Sequence, residues 1–206
     1  MEYITASCVI RDREIRQNGQ LVLRQPGAGL ADFLLAAYQH FGAAYPKFYK
    51  MDPLSKLGWL AAEGLLAGGF AGGPYDGADI AVVLSNAHSS LDTDYRYFST
   101  MSDIASPALF VYTLPNIVIG EISIRHKLKG ENAFFIFDAF DPVFTRDYAG
   151  ELLDRMRARA CICGWVDVLA EEYSAALFLV EREAAGPAFT ADNMTAIMNL
   201  TNNGNA

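Results

Sequence analysis

The sequence is poor in three things, and each shortage excludes a class of protein. It has three cysteines in 206 residues, Cys8, Cys161 and Cys163. That is too few, and odd in number, for the disulfide framework of a secreted domain, so reduced and buried thiols are expected. Basic residues are also scarce: 16 Lys and Arg stand against 24 Asp and Glu, for a formal net charge of −8. No basic stripe appears, which argues against a nucleic-acid partner, because phosphate binding depends on clustered Lys and Arg that release counterions. Finally, no run of 18 or more apolar residues suggests a membrane span. Residues 1–10 lack the charged start and long apolar core of a signal peptide, so a cytoplasmic protein is expected.

What is present is apolar and evenly spread. Hydrophobic residues make up 52% and charged residues only 19%, the balance of a compact fold rather than a disordered chain. The length suits one domain over 1–206 with a sizeable core. Residues 2–10 read as a first strand and 11–29 as a loop or short hairpin, with Leu21, Val22 and Leu23 as an added short strand. Phe33, Leu34, Ala37, Tyr38 and Phe41 recur at helical spacing and predict a helix over 31–41. Its near-terminal His40 suits the dipole better than a ligand role. Asp52 is a natural N-cap with Pro53 at the first helical position, and the helix they open runs to a stop at Gly68-Gly69. The glycine-rich run over 68–77 lacks the strand-before, helix-after setting of a phosphate loop.

Residues 79–84 form a second buried strand, followed by a polar turn. His88, Asp92 and Asp94 offer three potential metal ligands, but without fixed spacing; capping by Ser90, Asp92 and Asp94 accounts for them better. A short aromatic helix is expected over 94–101. Small and apolar residues at helix-like spacing predict another helix from Asn116 through Gly120 to Leu128, closed by Lys129-Gly130. After it come Ala133, Phe134, Phe135, Ile136 and Phe137, apolar on both faces as a buried central strand would be. A helix over 142–160 carries Phe144, Tyr148, Leu152, Leu153 and Met156 on one side and Arg146, Asp147, Arg155, Arg157 and Arg159 on the other, so one side faces water. Two more strands follow, over 161–169 and 175–181. Cys161 and Cys163 share one face of the first, and zinc would need two more ligands. The segment 190–206 reads as a short helix with a loose, Asn-rich end.

Several of these motifs resemble one family in order. Ser106-Pro107, Pro115-Asn116, Gly120 among alternating isoleucines, Lys129-Gly130-x-Asn132 and the apolar strand after them are similar to the N-terminal half of the beta-ketoacyl-[acyl carrier protein] synthases of the thiolase superfamily. Met51, Asp52, Lys56 and Ala61 or Ala62 match that family's helix in the corresponding place. Gly164 and Asp167 match its strand ending in Gly-Gly-x-(Glu/Asp), with Trp165 where a second Gly is usual, and 175–181 matches its last strand. The turn after the second strand is similar to the aryl-polyene and chain-length-factor branches. The resemblance implies an α/β chain with one half of a thiolase-like fold, a mixed five-stranded sheet with helices on both faces, and no cofactor or metal.

The same resemblance exposes two departures. The family's nucleophilic Cys would fall on Ala139, or on Phe140 with one inserted residue, and neither can attack a thioester. The catalytic His residues of the family come from a second half, which this sequence does not show. The expectation is therefore a non-catalytic partner or structural subunit in fatty-acid or polyketide (aryl-polyene type) biosynthesis. One alternative is an enzyme with altered catalysis, using Asp138 or Asp141 as a base. Another is a binding module for acyl carrier protein, with Arg155, Arg157 and Arg159 as the only dense basic set. In the family the strand before the nucleophile turn lies at the subunit interface. That implies a homodimer, or a heterodimer with a complete ketosynthase, through Phe134, Phe135, Ile136 and Phe137 together with Asn116 and Gly120.

Overall fold

The computed structural model describes residues 1–102, 105–155 and 157–200. Met156 and the Asn-rich end after residue 200 lie outside the described residues. The chain opens with β1 (Tyr3–Arg11), β2 (Glu14–Gln17) and β3 (Gln20–Arg24), joined by two-residue turns. Asp12 and Arg13 in the first turn, and Asn18 and Gly19 in the second, all have positive φ, the geometry that matches the twist of a hairpin. Next come α1 (Leu30–His40), a 3₁₀ turn (Pro46–Lys50), α2 (Pro53–Leu66), β4 (Ile80–Asn86), α3 (Leu91–Thr100), the single-turn α4 (Pro107–Val111) and α5 (Ile117–His126). The chain continues through β5 (Asn132–Ile136), α6 (Pro142–Asp154), β6 (Ala160–Leu169), β7 (Glu172–Glu181) and α7 (Ala191–Met198).

All seven strands lie in one mixed sheet, in the order β3-β2-β1-β7-β6-β4-β5. β6, β4 and β5 are parallel, and β7 runs antiparallel to both its neighbours. The expected five strands are all present; the sheet has seven because the β2–β3 hairpin pairs onto β1 and extends it. Asn18-Gly19 was the signal for that extension.

The period-2 alternation of strand side chains splits the core in two. Ile80, Val82 and Leu84 of β4 and Ile162 and Val166 of β6 face a cluster that α1, α2 and α5 complete. Ala81, Val83, Cys161 and Cys163 face the opposite cluster, closed by Ala149 and Leu153 of α6 and Met194 of α7. The three cysteines are free and buried. Burial pushes the Cys8 thiol up to about 12, so it packs as a small apolar group.

Two glycines permit close approach. A Cβ on Gly58 of α2 would lie 2.3 Å from Val118 of α5, and one on Gly164 of β6 would lie 2.0 Å from the Ala176 carbonyl of β7.

The sequence places two elements differently from the fold. The strand expected at the centre is β5, and it stands at the edge, paired among the described residues only with β4. Its side chains are partly covered rather than buried, and Ile136 is 48% exposed. A five-residue apolar run looks the same in either place, because edge position depends on which other strands find partners. The helix expected over 142–160 ends at Asp154, and the one expected up to Leu128 ends at His126. Lys127 stops the latter in the left-handed conformation, and the Leu128 amide then closes back on Ser123 O, a C-terminal turn that needs no glycine.

Candidate functional site

In open sheets with parallel strands, ligands are held at the carboxyl ends of those strands. Here β4 and β5 end level beside the middle of β6, which runs on to Leu169, bringing Ser85 to Ser90, Phe137 to Asp141, and Trp165 to Asp167 together. The turn after β5 is where the resemblance described above would put a nucleophile. Asp138 and Ala139 are exposed there. Phe140 turns inward, with its ring centroid 6.3 Å from Trp165 and 6.2 Å from Phe178. Asp141 caps α6: its Oδ1 accepts the Phe144 amide at 2.8 Å, with Pro142 at the first helical position. Phe135 stacks on Phe137 at 6.0 Å and meets Phe144 and Tyr148 edge-on at 4.7 and 5.0 Å. The site is thus filled by aromatic rings, and the side chains at its turn supply no thiol or hydroxyl.

The turn after β4 is held from two directions. Both ends of the Asn86 side chain grip Ser89, its Oδ1 accepting the Ser89 amide at 3.0 Å and its Nδ2 donating to the Ser89 carbonyl at 2.8 Å. This fixes Ser89 at φ 50°, a conformation that persists only where the surroundings enforce it. Asp167 of β6 accepts the Ala87 and His88 amides, each at 3.1 Å, and its Oδ2 lies 2.8 Å from His88 Nδ1. The pairing of His88 with Asp167 is not legible from either residue's neighbours in sequence; it follows from the β4–β6 register.

The other candidate residues separate. Asp92 pairs with Arg96 and accepts the Ala170 amide, while Asp94 accepts from Ser90. His88, Asp92 and Asp94 therefore form no common ligand set, and among the described residues no group of three or more His, Cys, Asp or Glu could hold a metal. The glycine-rich loop is occupied by the chain's own carboxylate. Glu181 is fully buried and accepts the Ala71 and Gly72 amides at 3.1 and 2.9 Å, the Tyr75 hydroxyl at 2.9 Å, and the Thr5 hydroxyl. Burial first, and then Glu181 itself, push the Tyr75 phenol up to about 12. The three arginines of the basic set each face an acid: Arg155 pairs with Glu151, Arg157 lies 3.4 Å from Glu131, and Arg159 lies 3.6 Å from Asp79.

Of the residues expected at an interface, Phe135 and Phe137 pack on Phe144 of α6, Phe134 is partly buried against the first core cluster, and Ile136 and Asn116 are exposed. Val82 donates to Glu131 O and Phe137 donates to Asn86 O. The odd-numbered residues of β5 therefore bond to β4, and Asn132, Phe134 and Ile136 turn their backbone groups outward. On α5, Asn116, Gly120 and Ile124 recur at i, i+4 and i+8. Ile124 is 62% exposed, and a Cβ on Gly120 would meet nothing within 4 Å.

No protein-family model matches the sequence, and no curated protein matches it at a significant level. Solved structures do match, and what they share with this chain is the thiolase-type fold of the ketosynthases. The ishigamide ketosynthase/chain length factor superposes with a TM-score of 0.63 at 19% identity, over 91% of this chain and 63% of that one. A beta-ketoacyl synthase from Burkholderia phymatum STM815 gives 0.57 at 14% identity, over 88% and 59%. The ketosynthase ApeO in complex with its chain length factor ApeC, from Xenorhabdus doucetiae, gives 0.53 at 14% identity, over 84% and 86%. The chain spans about three fifths of the length of the first of these proteins. No helix among the described residues is long and apolar enough to cross a membrane.

Proposed function

We propose that this chain is a non-catalytic, ketosynthase-like subunit that pairs through the β5 edge with a second thiolase-fold chain, either another copy of itself or a complete ketosynthase. The observation that carries the reading is the filled turn after β5, where Phe140 packs against Trp165 and Phe178 and Asp141 is committed to capping α6. A base at Asp141 would have to abandon the cap, so the altered-catalysis alternative is weaker. Arg155, Arg157 and Arg159 each pair with an acid of this chain, which makes that set a weaker docking face for an acidic carrier protein. The role in fatty-acid or aryl-polyene-type polyketide biosynthesis belongs to the same proposal, by likeness to neighbours that include a ketosynthase with its chain length factor.

Three even-numbered positions whose backbone groups face outward on an edge strand are a template for another strand. Phe135 packs inside this chain against Phe144 and Tyr148, so the informative substitution is at the exposed Ile136. Sedimentation at low micromolar concentration, alone and mixed with a complete ketosynthase, should show a dimer. Ile136→Lys should remove the dimer and leave the melting temperature unchanged. A wild-type chain that stays monomeric in both settings would overturn the proposal.

A further inference from the structure

Away from the strand ends, the structure holds a cavity of about 330 Å³ between α1, the 3₁₀ turn Pro46–Lys50, the start of α2 and the β6–β7 turn. None of the residues in the turn after β5 lines it. Its size falls at the lower end of small-ligand sites, with room for roughly ten non-hydrogen atoms at the ~30 Å³ that a water-sized group occupies in a liquid. Leu30, Leu34, Phe48 and Met51 form an apolar floor, each nearly or fully buried.

The charged groups around this floor are not equally available. Asp52 is spent on the chain, its Oδ1 accepting the Ser55 amide at 2.9 Å and its Oδ2 accepting the Thr93 hydroxyl at 2.7 Å. Glu171 accepts the Leu30 amide at 2.8 Å and faces Arg13 at 3.7 Å. Arg96 pairs with Asp92 at 2.9 Å. Lys56 and Lys50 remain, and neither makes an ion pair among the described residues. The Lys56 ammonium stands 5.6 Å from the Phe48 ring centroid, joining the cation to the apolar floor. Burial pushes this ammonium below its ordinary value, against the field of Asp52, as happens where a cation lacks a partner that would hold its charge.

From this geometry we infer that the cavity is a binding site for a small amphipathic monoanion, an aliphatic or aryl chain of about eight carbons ending in a carboxylate. The chain lies on the floor formed by Leu34, Phe48 and Met51, and the carboxylate meets Lys56, with Lys50 at the mouth. A single negative charge is favoured over a dianionic phosphate because Asp52 and Glu171 line the same walls and repel a second charge. The site is independent of the β5 edge, so its failure would leave the subunit-pairing proposal intact.

Calorimetric titration of the full chain with octanoate tests the inference, with octylamine as the control of equal length and opposite charge. The expected result is saturable binding of one octanoate per chain, with octylamine weaker by tenfold or more. Lys56→Gln should weaken octanoate about tenfold, the size of one charge-assisted hydrogen bond. Ala31→Trp, at an exposed position on the cavity wall, should fill the space and abolish binding at an unchanged melting temperature. Octanoate that fails to saturate at one per chain, octylamine that binds as well, or binding that survives Ala31→Trp would each overturn it. Should Lys56→Gln fail to fold, the octylamine and Ala31→Trp arms still decide.

Discussion

Glu63 of α2 is the residue through which α2 and α5 are joined by charge. Its Oε1 and Oε2 accept from Arg125 Nε and Nη2 at 2.8 and 2.9 Å, and His126 Nε2 lies 3.1 Å from Oε1. Burial alone would raise this carboxyl, but His126 and Arg125 outweigh it and hold it at about 2, below its ordinary 4.5. A depressed carboxyl stabilises the fold above its unfolded value and loses that contribution as pH falls toward the folded one. Urea unfolding should therefore show stability falling between pH 4.5 and about 2, with Glu63→Gln less sensitive across the same window. At neutral pH that substitution should cost about 1.5–3 kcal/mol, the range for hydrogen bonds to charged groups. A wild-type profile that matches Glu63→Gln would show that the pair contributes nothing. Asp141→Ala removes a cap and should lower stability by about 0.5–2 kcal/mol, read by thermal melting. An unchanged melting temperature together with a lost activity would instead point to a catalytic carboxylate.

Residue-scale features were legible where the chemistry is local. Asp52-Pro53 and Asp141-Pro142 act as the sequence implies, because a cap needs only an acceptor and the next turn's amide. Glu181 was legible as a family match but not as a buried carboxylate. Its donors come from Thr5 and from the loop around Ala71 and Tyr75, distant along the chain and brought together only by the sheet.

Among the elements, α6 and β5 mark what periodicity can and cannot show. Two-sided character was readable in α6 only in part: of the expected apolar face Leu153 is buried, Phe144 and Leu152 are partly covered and Tyr148 is 36% exposed, while Arg146, Asp147 and Arg155 are exposed as expected. α7 packs beside it on the same sheet face, placing Met194 in the second core cluster. β5 carries no such mark, since its apolar run records side-chain environment and not whether a backbone edge is paired. The turn that follows it carries its own prediction. Incubation with an acyl carrier thioester, followed by intact mass spectrometry, should show no adduct on Asp138, Ala139, Phe140 or Asp141, because none is a thiol or an activated hydroxyl. A stoichiometric adduct there would restore the enzyme reading.

At the scale of the whole molecule, the ketosynthase-type fold was legible because its motifs follow one another in chain order, from Met51-Asp52 to Glu181. Strand number was less so, since the hairpin that lengthens the sheet depends on a turn at Asn18-Gly19 rather than on hydrophobic pattern. The fold leaves a five-residue parallel edge at β5, and the proposed function rests on that edge being a joint. Residue-resolved amide hydrogen exchange, in the free chain and in its dimer, tests this most directly. The Ala133 and Phe135 amides face β4 and should be protected in both states. Those of Phe134 and Ile136 face outward, and should exchange quickly in the free chain and become protected in the dimer. A dimer in which Phe134 and Ile136 exchange as fast as in the free chain would contradict pairing through β5.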